Sequence, residues 1–130
     1  MEFDRSPRFA FNEAALDYDR YRPGYPDEAI DALIGLSAVG MESRLLEVGC
    51  GTGQATLSLA ARGFQIDAVE LGPELARLAV LKLAPWPRVR IAIGAYEDYE
   101  PHEAGYDLIY SAQAFHWVDP SVRLQKSARL

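Results

Sequence analysis

Three glycines alternate in the stretch Glu47-Val48-Gly49-Cys50-Gly51-Thr52-Gly53-Gln54. Alternating glycines leave the main chain bare, so it can turn sharply and a ligand can lie against it. The apolar run Leu45 to Val48 before the loop reads as a buried parallel strand. The alanine- and leucine-rich stretch Ala55 to Arg62 reads as a helix that Gly63 ends. The first N–H groups of such a helix point at whatever the loop holds. A triphosphate loop closes on Gly-Lys-Ser/Thr, but Gln54 follows Gly53 here. A dinucleotide loop needs G-x-G-x-x-G/A; its last place falls on Gln54 in one frame and Thr56 in the other. Neither pattern is met.

Glu70 is the second residue with a clear chemical use. It ends the run Gln65 to Leu71, whose apolar centre suits an inner strand, fewer than twenty residues past the loop. Ligands of open α/β sheets bind off the carboxyl ends of strands, where a carboxylate can accept both hydroxyl hydrogens of a ribose. This spacing fits more than one kind of nucleoside. Cys50 is the sole cysteine, so no internal disulfide can form, and its place in the loop asks for a small residue rather than a reactive thiol. No His/Cys cluster has zinc spacing, and no metal is expected. His116 could serve as a general base, since an unperturbed imidazole titrates near neutrality. Its neighbour Trp117 makes a packed, structural histidine the competing reading.

These residues need a scaffold. The chain has 130 residues, enough for one domain with a real core. A net charge of −6 without a basic run argues against a nucleic-acid surface. The polar start, Met1 to Arg8, is no signal peptide, and no apolar segment is long enough to span a membrane, so the expected compartment is the cytoplasm. Phe11, Ala14, Ala15 and Tyr18 have helical spacing, and Pro23-Gly24 breaks that helix. Pro26 opens another, with Ala29, Ile30, Leu33 and Ile34 as its apolar face and Gly35 as its stop. Gly72-Pro73 opens a helix with Leu75, Leu78, Ala79 and Lys82 on one face, and Pro85-Trp86-Pro87 ends it, with Trp86 a loop-packing residue. Val89 to Ile93 and Tyr106 to Ser111 read as the third and fourth strands. Ser121 to Leu130 reads as a last helix, with Lys126 and Arg129 near its end.

The E-x-G-x-G-x-G pattern, Glu47 to Gly53, resembles the first motif of class I S-adenosylmethionine (SAM)-dependent methyltransferases. The turn Tyr18-x-x-Tyr21-Arg22-Pro23-x-Tyr25-Pro26 is similar to the N-terminal cap of many small-molecule members. Ser111-Ala-Gln113-Ala-Phe115-His116-Trp117 resembles a stretch of the trans-aconitate and quinone-pathway type. The resemblance implies a Rossmann-like α/β fold, a parallel sheet with helices on both faces, truncated after about the fourth of seven strands. It implies one SAM-binding domain: a helical cap over residues 1–36 and a βαβαβ core over 43–130. The loop, Glu47, Gly49, Cys50, Gly51, Gly53 and Gln54, would carry the methionyl part of SAM, with Glu70 and Leu71 at the ribose. Glu97, with Asp98 as second choice, in a segment that includes Tyr96, would meet the adenine, although Ala95 stands where the family often has Asp. Ser111 and Gln113 would line the cofactor. Arg22 or Tyr21 would meet the methionyl carboxylate, unless that helix simply packs its tyrosines on the sheet. Tyr25, Phe115, His116 and Trp117 would wall the pocket of a small-molecule acceptor. An interior strand left at the edge would either belong to a longer protein or pair with a second copy as a homodimer. A SAM-binding module without catalysis and a nicotinamide-dependent oxidoreductase are the competing functions, the latter opposed by the loop's last position.

Overall fold

The computed structural model describes residues 25–101, 105–112, 121 and 123–130. Helix α1 spans Asp27–Ser37, strand β1 Arg44–Val48, helix α2 Gln54–Ala60 and strand β2 Gln65–Glu70. Helix α3 follows at Pro73–Leu83, strand β3 at Val89–Ile93, a 3-10 turn at Tyr96–Asp98, strand β4 at Leu108–Tyr110 and helix α4 at Arg123–Arg129.

The strands form one sheet in the order β3-β2-β1-β4, and every pair is parallel. The chain reverses its direction of travel across the sheet after β3, returning past β2 and β1 to place β4. A reversal of that kind puts the carboxyl ends of β1 and β4 side by side, where open α/β sheets bind ligands. Leu45, Leu46 and Ile66 are fully buried, as expected of strands covered on both faces. Side-chain alternation sorts the core into two layers. Leu45, Ile66 and Ala68 meet Ile30 of α1, Leu59 of α2 and Ala79 and Leu83 of α3. On the other face Leu46, Val48 and Val69 pack with Tyr96, Tyr106 and Leu130.

The packing corrects four sequence expectations. Gly35 does not stop α1, which runs to Ser37 and ends where Ala38 turns left-handed at φ 57° and donates its N–H to Ile34 O. A glycine one turn from a helix end costs only about 1 kcal/mol, too little to end it. Ala29 is exposed, and the inward face of α1 is Ile30, Leu33 and Ile34. The buried face of α3 is Leu75, Ala76, Ala79 and Leu83, so it is turned away from Leu78 and Lys82. Ala79 and Leu83 are what pack against Gly53. β4 is shorter than the strand expected over Tyr106 to Ser111, because only Leu108, Ile109 and Tyr110 stand in ladder register with β1. Trp86 packs at the core margin, as expected of a loop-packing residue.

Asp67 was unforeseen as a buried charge in the apolar centre of β2. It is 6% exposed, and it binds Arg90 through both oxygens, at 2.9 and 3.2 Å. The Tyr106 hydroxyl also donates to it, at 2.7 Å. A buried carboxylate tolerates its place only when paired in this way.

Candidate active site: a glycine loop braced by a buried glutamate

The loop leaves β1 at Gly49 and enters α2 at Gln54. Gly49, Gly51 and Gly53 adopt φ of 74°, 59° and 89°, a region that favours glycine. Gly53 has a second reason to be bare. A Cβ there would stand 3.0 Å from Leu83 Cδ1 and 3.4 Å from Ala79 Cβ. The missing side chain lets the start of α2 lie directly on α3.

The tip of β2 holds the loop in shape. Gly49 and Cys50 donate their amides to Val69 O at 2.8 and 3.2 Å. The Gly51 amide donates to Glu70 Oε1 at 2.8 Å, and the Gly72 amide donates to Oε2 at 2.7 Å. Glu70 is 8% exposed. Burial raises its pKa above the usual carboxylate range, opposed by the N–H groups of Gly72, Gly51 and Leu71. Each oxygen spends one lone pair on an amide and keeps capacity for a further donor.

Glu47 lies beneath the loop, on the α2 side of the sheet, and is 1% exposed. Thr56 of α2 and Tyr110 of β4 donate their hydroxyls to its Oε1, at 2.7 and 2.8 Å. Burial pushes its pKa up to about 7; the Thr56 and Tyr110 hydrogen bonds oppose the shift, and the charge of Glu70 adds to it.

Tyr25, Glu47, Gly49, Thr52, Gln54 and Ala112 line a small cleft over this carboxyl. Thr52 is 1% exposed, and its Oγ1 has no hydrogen-bond partner among the described residues. Buried hydroxyls are normally satisfied, so one facing a cleft marks a place for a polar ligand atom. A larger cavity, of about 390 Å³, runs along β2 and β3 past Asp67, Arg90 and Tyr99, on the face away from α2. It holds none of the loop residues, and two of its polar side chains, Asp67 and Arg90, are paired with each other.

The structure brings Glu47, Gly49, Cys50, Gly51, Gly53, Gln54, Glu70, Leu71, Ser111 and Tyr25 to one end of the sheet. Ser111 closes the β4 side by donating its hydroxyl to Val48 O at 2.7 Å. Cys50 contributes only main chain. Its side chain is 6% exposed in the core, and burial, with the charges of Glu47 and Glu70, raises its pKa well above the usual thiol value. Tyr96 likewise turns its ring into the core beside Leu46 and Val69, with its hydroxyl on Ser127 at 2.8 Å. It can offer a ligand only main chain. Glu97 stays half-buried in the turn after β3. Tyr21, Arg22, Gln113, Phe115, His116 and Trp117 lie outside the described residues.

Sequence reasoning missed Thr52, Thr56 and Tyr110. Only the parallel register, which sets Glu47 opposite Tyr110, reveals the last. Lys126 was also missed. It lies in the last turn of α4, as its place in the sequence predicts, yet it is 6% exposed, and its ammonium donates to the carbonyls of Glu97 and Tyr99.

Residues 45–130 match the methyltransferase domain family. The chain is 37% identical over 126 residues to an uncharacterized methyltransferase of Mycobacterium tuberculosis, across 97% of this chain and 49% of that protein. It is 32% identical over 116 residues to malonyl-[acyl-carrier protein] O-methyltransferase 1 of Ilyobacter polytropus, across 88% of this chain and 43% of that one. It therefore spans about half the length of the curated relatives it matches. Among solved structures the [4+2]-cyclase SpnF superposes with a TM-score of 0.78 at 17% identity, over 96% of this chain and 55% of its own. That likeness shows the fold alone, and a cyclase on the same fold illustrates that architecture does not settle chemistry. The chain belongs to the methyltransferase domain family and, within it, to the class I S-adenosylmethionine-dependent methyltransferases.

Proposed function

We propose that this chain carries the cofactor site of an enzyme that transfers a methyl group from SAM to a small-molecule acceptor. The observation that carries the reading is the buried Glu70 carboxylate, 2.8 Å from the Gly51 amide at the centre of a side-chain-free turn. The residues present suit an adenosyl amino acid. Glu70 has lone pairs for ribose hydroxyls, and Leu71 lies next to it. The bare loop at Gly49, Gly51 and Gly53 lets the methionyl part approach main chain. Thr52 Oγ1 lacks a partner that a polar ligand atom would supply. Glu97, carried by the turn after β3, is proposed to accept from an adenine amine. Tyr21, Arg22 and Gln113 complete the set as cofactor contacts.

SAM supplies an electrophilic methyl group already activated by its sulfonium charge. The protein needs to align the acceptor with that carbon and exclude water, and such positioning supplies several kcal/mol. Tyr25, Phe115 and Trp117 are proposed as walls of the acceptor pocket. His116 is proposed as the base for acceptors that must lose a proton; a pH–rate profile unchanged in His116→Gln excludes that role. The outer edge of β4, unpaired by any strand among the described residues, is proposed as a pairing surface for a second copy, which light scattering tests. Cytoplasmic residence is the accompanying proposal; among the described residues no helix is long and apolar enough to cross a membrane.

Titration calorimetry with SAM, its demethylated product S-adenosylhomocysteine and NAD tests the cofactor. Binding of NAD in place of the other two overturns the reading. A labelled-methyl assay then separates transfer from a module that binds SAM without catalysis.

A further inference from the structure

Glu47 is a buried carboxyl with no compensating cation among the described residues. The groups that face it are the hydroxyl of Thr56 from α2, the hydroxyl of Tyr110 from β4, the carboxylate of Glu70 from β2 and the thiol of Cys50 from the loop. None of these carries positive charge. Tyr25 and the unpartnered Thr52 hydroxyl border the same cleft. An uncompensated carboxylate in a dry site strongly favours its neutral form, and a cation placed nearby reverses that preference. SAM and its product differ by one unit of charge: the donor carries a sulfonium and the product a neutral thioether.

We infer that Glu47 is a charge-sensing positioning residue of the cofactor cleft. Its carboxyl releases a proton to solvent when the cationic donor enters, and it takes a proton back once the neutral product remains. The inference rests on the SAM reading above and adds to it. The ionised carboxylate holds the donor electrostatically. After transfer the sulfur is neutral and only the ammonium common to both ligands remains, so the carboxyl moves back toward its neutral form and the product is held less tightly than the donor. Protons balance: Glu47 loses one to solvent on donor binding and regains one while the product is still in the cleft, and the acceptor separately gives up the proton that the methyl group replaces.

The test measures binding, not turnover. Affinities for SAM and for S-adenosylhomocysteine are determined by calorimetry between pH 6 and 8, in buffers of different ionisation enthalpy. A carboxyl that titrates at about 7 in the free chain and is held ionised by the donor strengthens donor binding by up to about tenfold across that range. The expected result is a SAM-to-product affinity ratio that climbs with pH, more protons released by SAM than by its product, and loss of both in Glu47→Gln. Tyr110→Phe is the second variant. Removing a donor that favours the ionised form moves the midpoint of the pH dependence upward while leaving the carboxyl in place. Equal proton release by both ligands, or a ratio flat with pH in the parent chain, overturns the inference while leaving the cofactor reading intact. Failure of either ligand to bind at any pH overturns the cofactor reading as well.

Discussion

The Gly51 amide donates to Glu70 Oε1 at 2.8 Å, so the side chain at the tip of β2 holds the middle of the loop that follows β1. One carboxylate thus shapes the loop and faces the place proposed for a ribose. Removing it weakens both. In Glu70→Ala the Gly51 and Gly72 amides lose a charged acceptor, worth roughly 1.5–3 kcal/mol for each such bond. The expected outcome is at least a tenfold weaker SAM affinity by calorimetry, with a lower melting temperature. Glu70→Gln keeps one acceptor oxygen and falls between the two. An unchanged Kd in Glu70→Ala removes Glu70 from the site.

Gly53→Ala combines two costs, a left-handed φ of 89° and a Cβ placed 3.0 Å from Leu83 Cδ1. Strain and overpacking together predict a loss of about 1–3 kcal/mol, read as a lower urea midpoint. Adding Leu83→Ala relieves the clash and leaves the backbone strain. If the two destabilisations simply add, Gly53 and Leu83 do not touch.

Glu47 makes folding stability depend on pH. Its pKa in the folded chain is about 7, against an ordinary value of 4.5. Below 4.5 the carboxyl is protonated in both states, so its contribution is fully present. As the pH rises from 4.5 to 7 the unfolded chain ionises first, and that contribution is lost. The ceiling is roughly 3 kcal/mol, because each pH unit between the two values is worth about 1.36 kcal/mol. Urea midpoints of the parent chain are expected to decline relative to Glu47→Gln across that window, then to run parallel above about pH 7. Parallel curves throughout contradict the burial of this carboxyl. Glu70, shifted in the same direction, remains in both proteins.

Cys50 is buried, and burial raises its thiol pKa. Thiolate is the reactive form. Ellman's reagent is expected to leave the native chain untouched for hours at pH 8 and to titrate one thiol at once in denaturant. Rapid labelling of the native chain means that the loop opens.

Lys126 ties α4 to the turn that carries Glu97, through carbonyls of Glu97 and Tyr99. Lys126→Met keeps most of the stem and leaves two carbonyls without this donor, at a cost of roughly 1–3 kcal/mol. A smaller loss by thermal unfolding places the ammonium in water instead.

Much of this protein is determined by local sequence. Leu45 to Val48 reads as a covered strand, because its apolar residues Leu45, Leu46 and Val48 fall on both faces and cannot all avoid water otherwise. Gly49, Gly51 and Gly53 must form a turn, because other side chains resist their backbone angles. Glu70 at a strand tip follows from the parallel architecture itself. The tertiary structure decided what adjacency in sequence cannot encode. The two-layer core chose Ala76 and Leu83 over Leu78 and Lys82, and it is Leu83, with Ala79, that meets Gly53. The register of β1 against β4 delivered the Tyr110 hydroxyl to Glu47 across 63 residues of chain. The same packing put Asp67, Glu47 and Lys126 in the interior, where their partners come from other elements. Periodicity reports how a residue relates to its own helix or strand; the desolvation and pairing of a charge depend on which elements finally surround it.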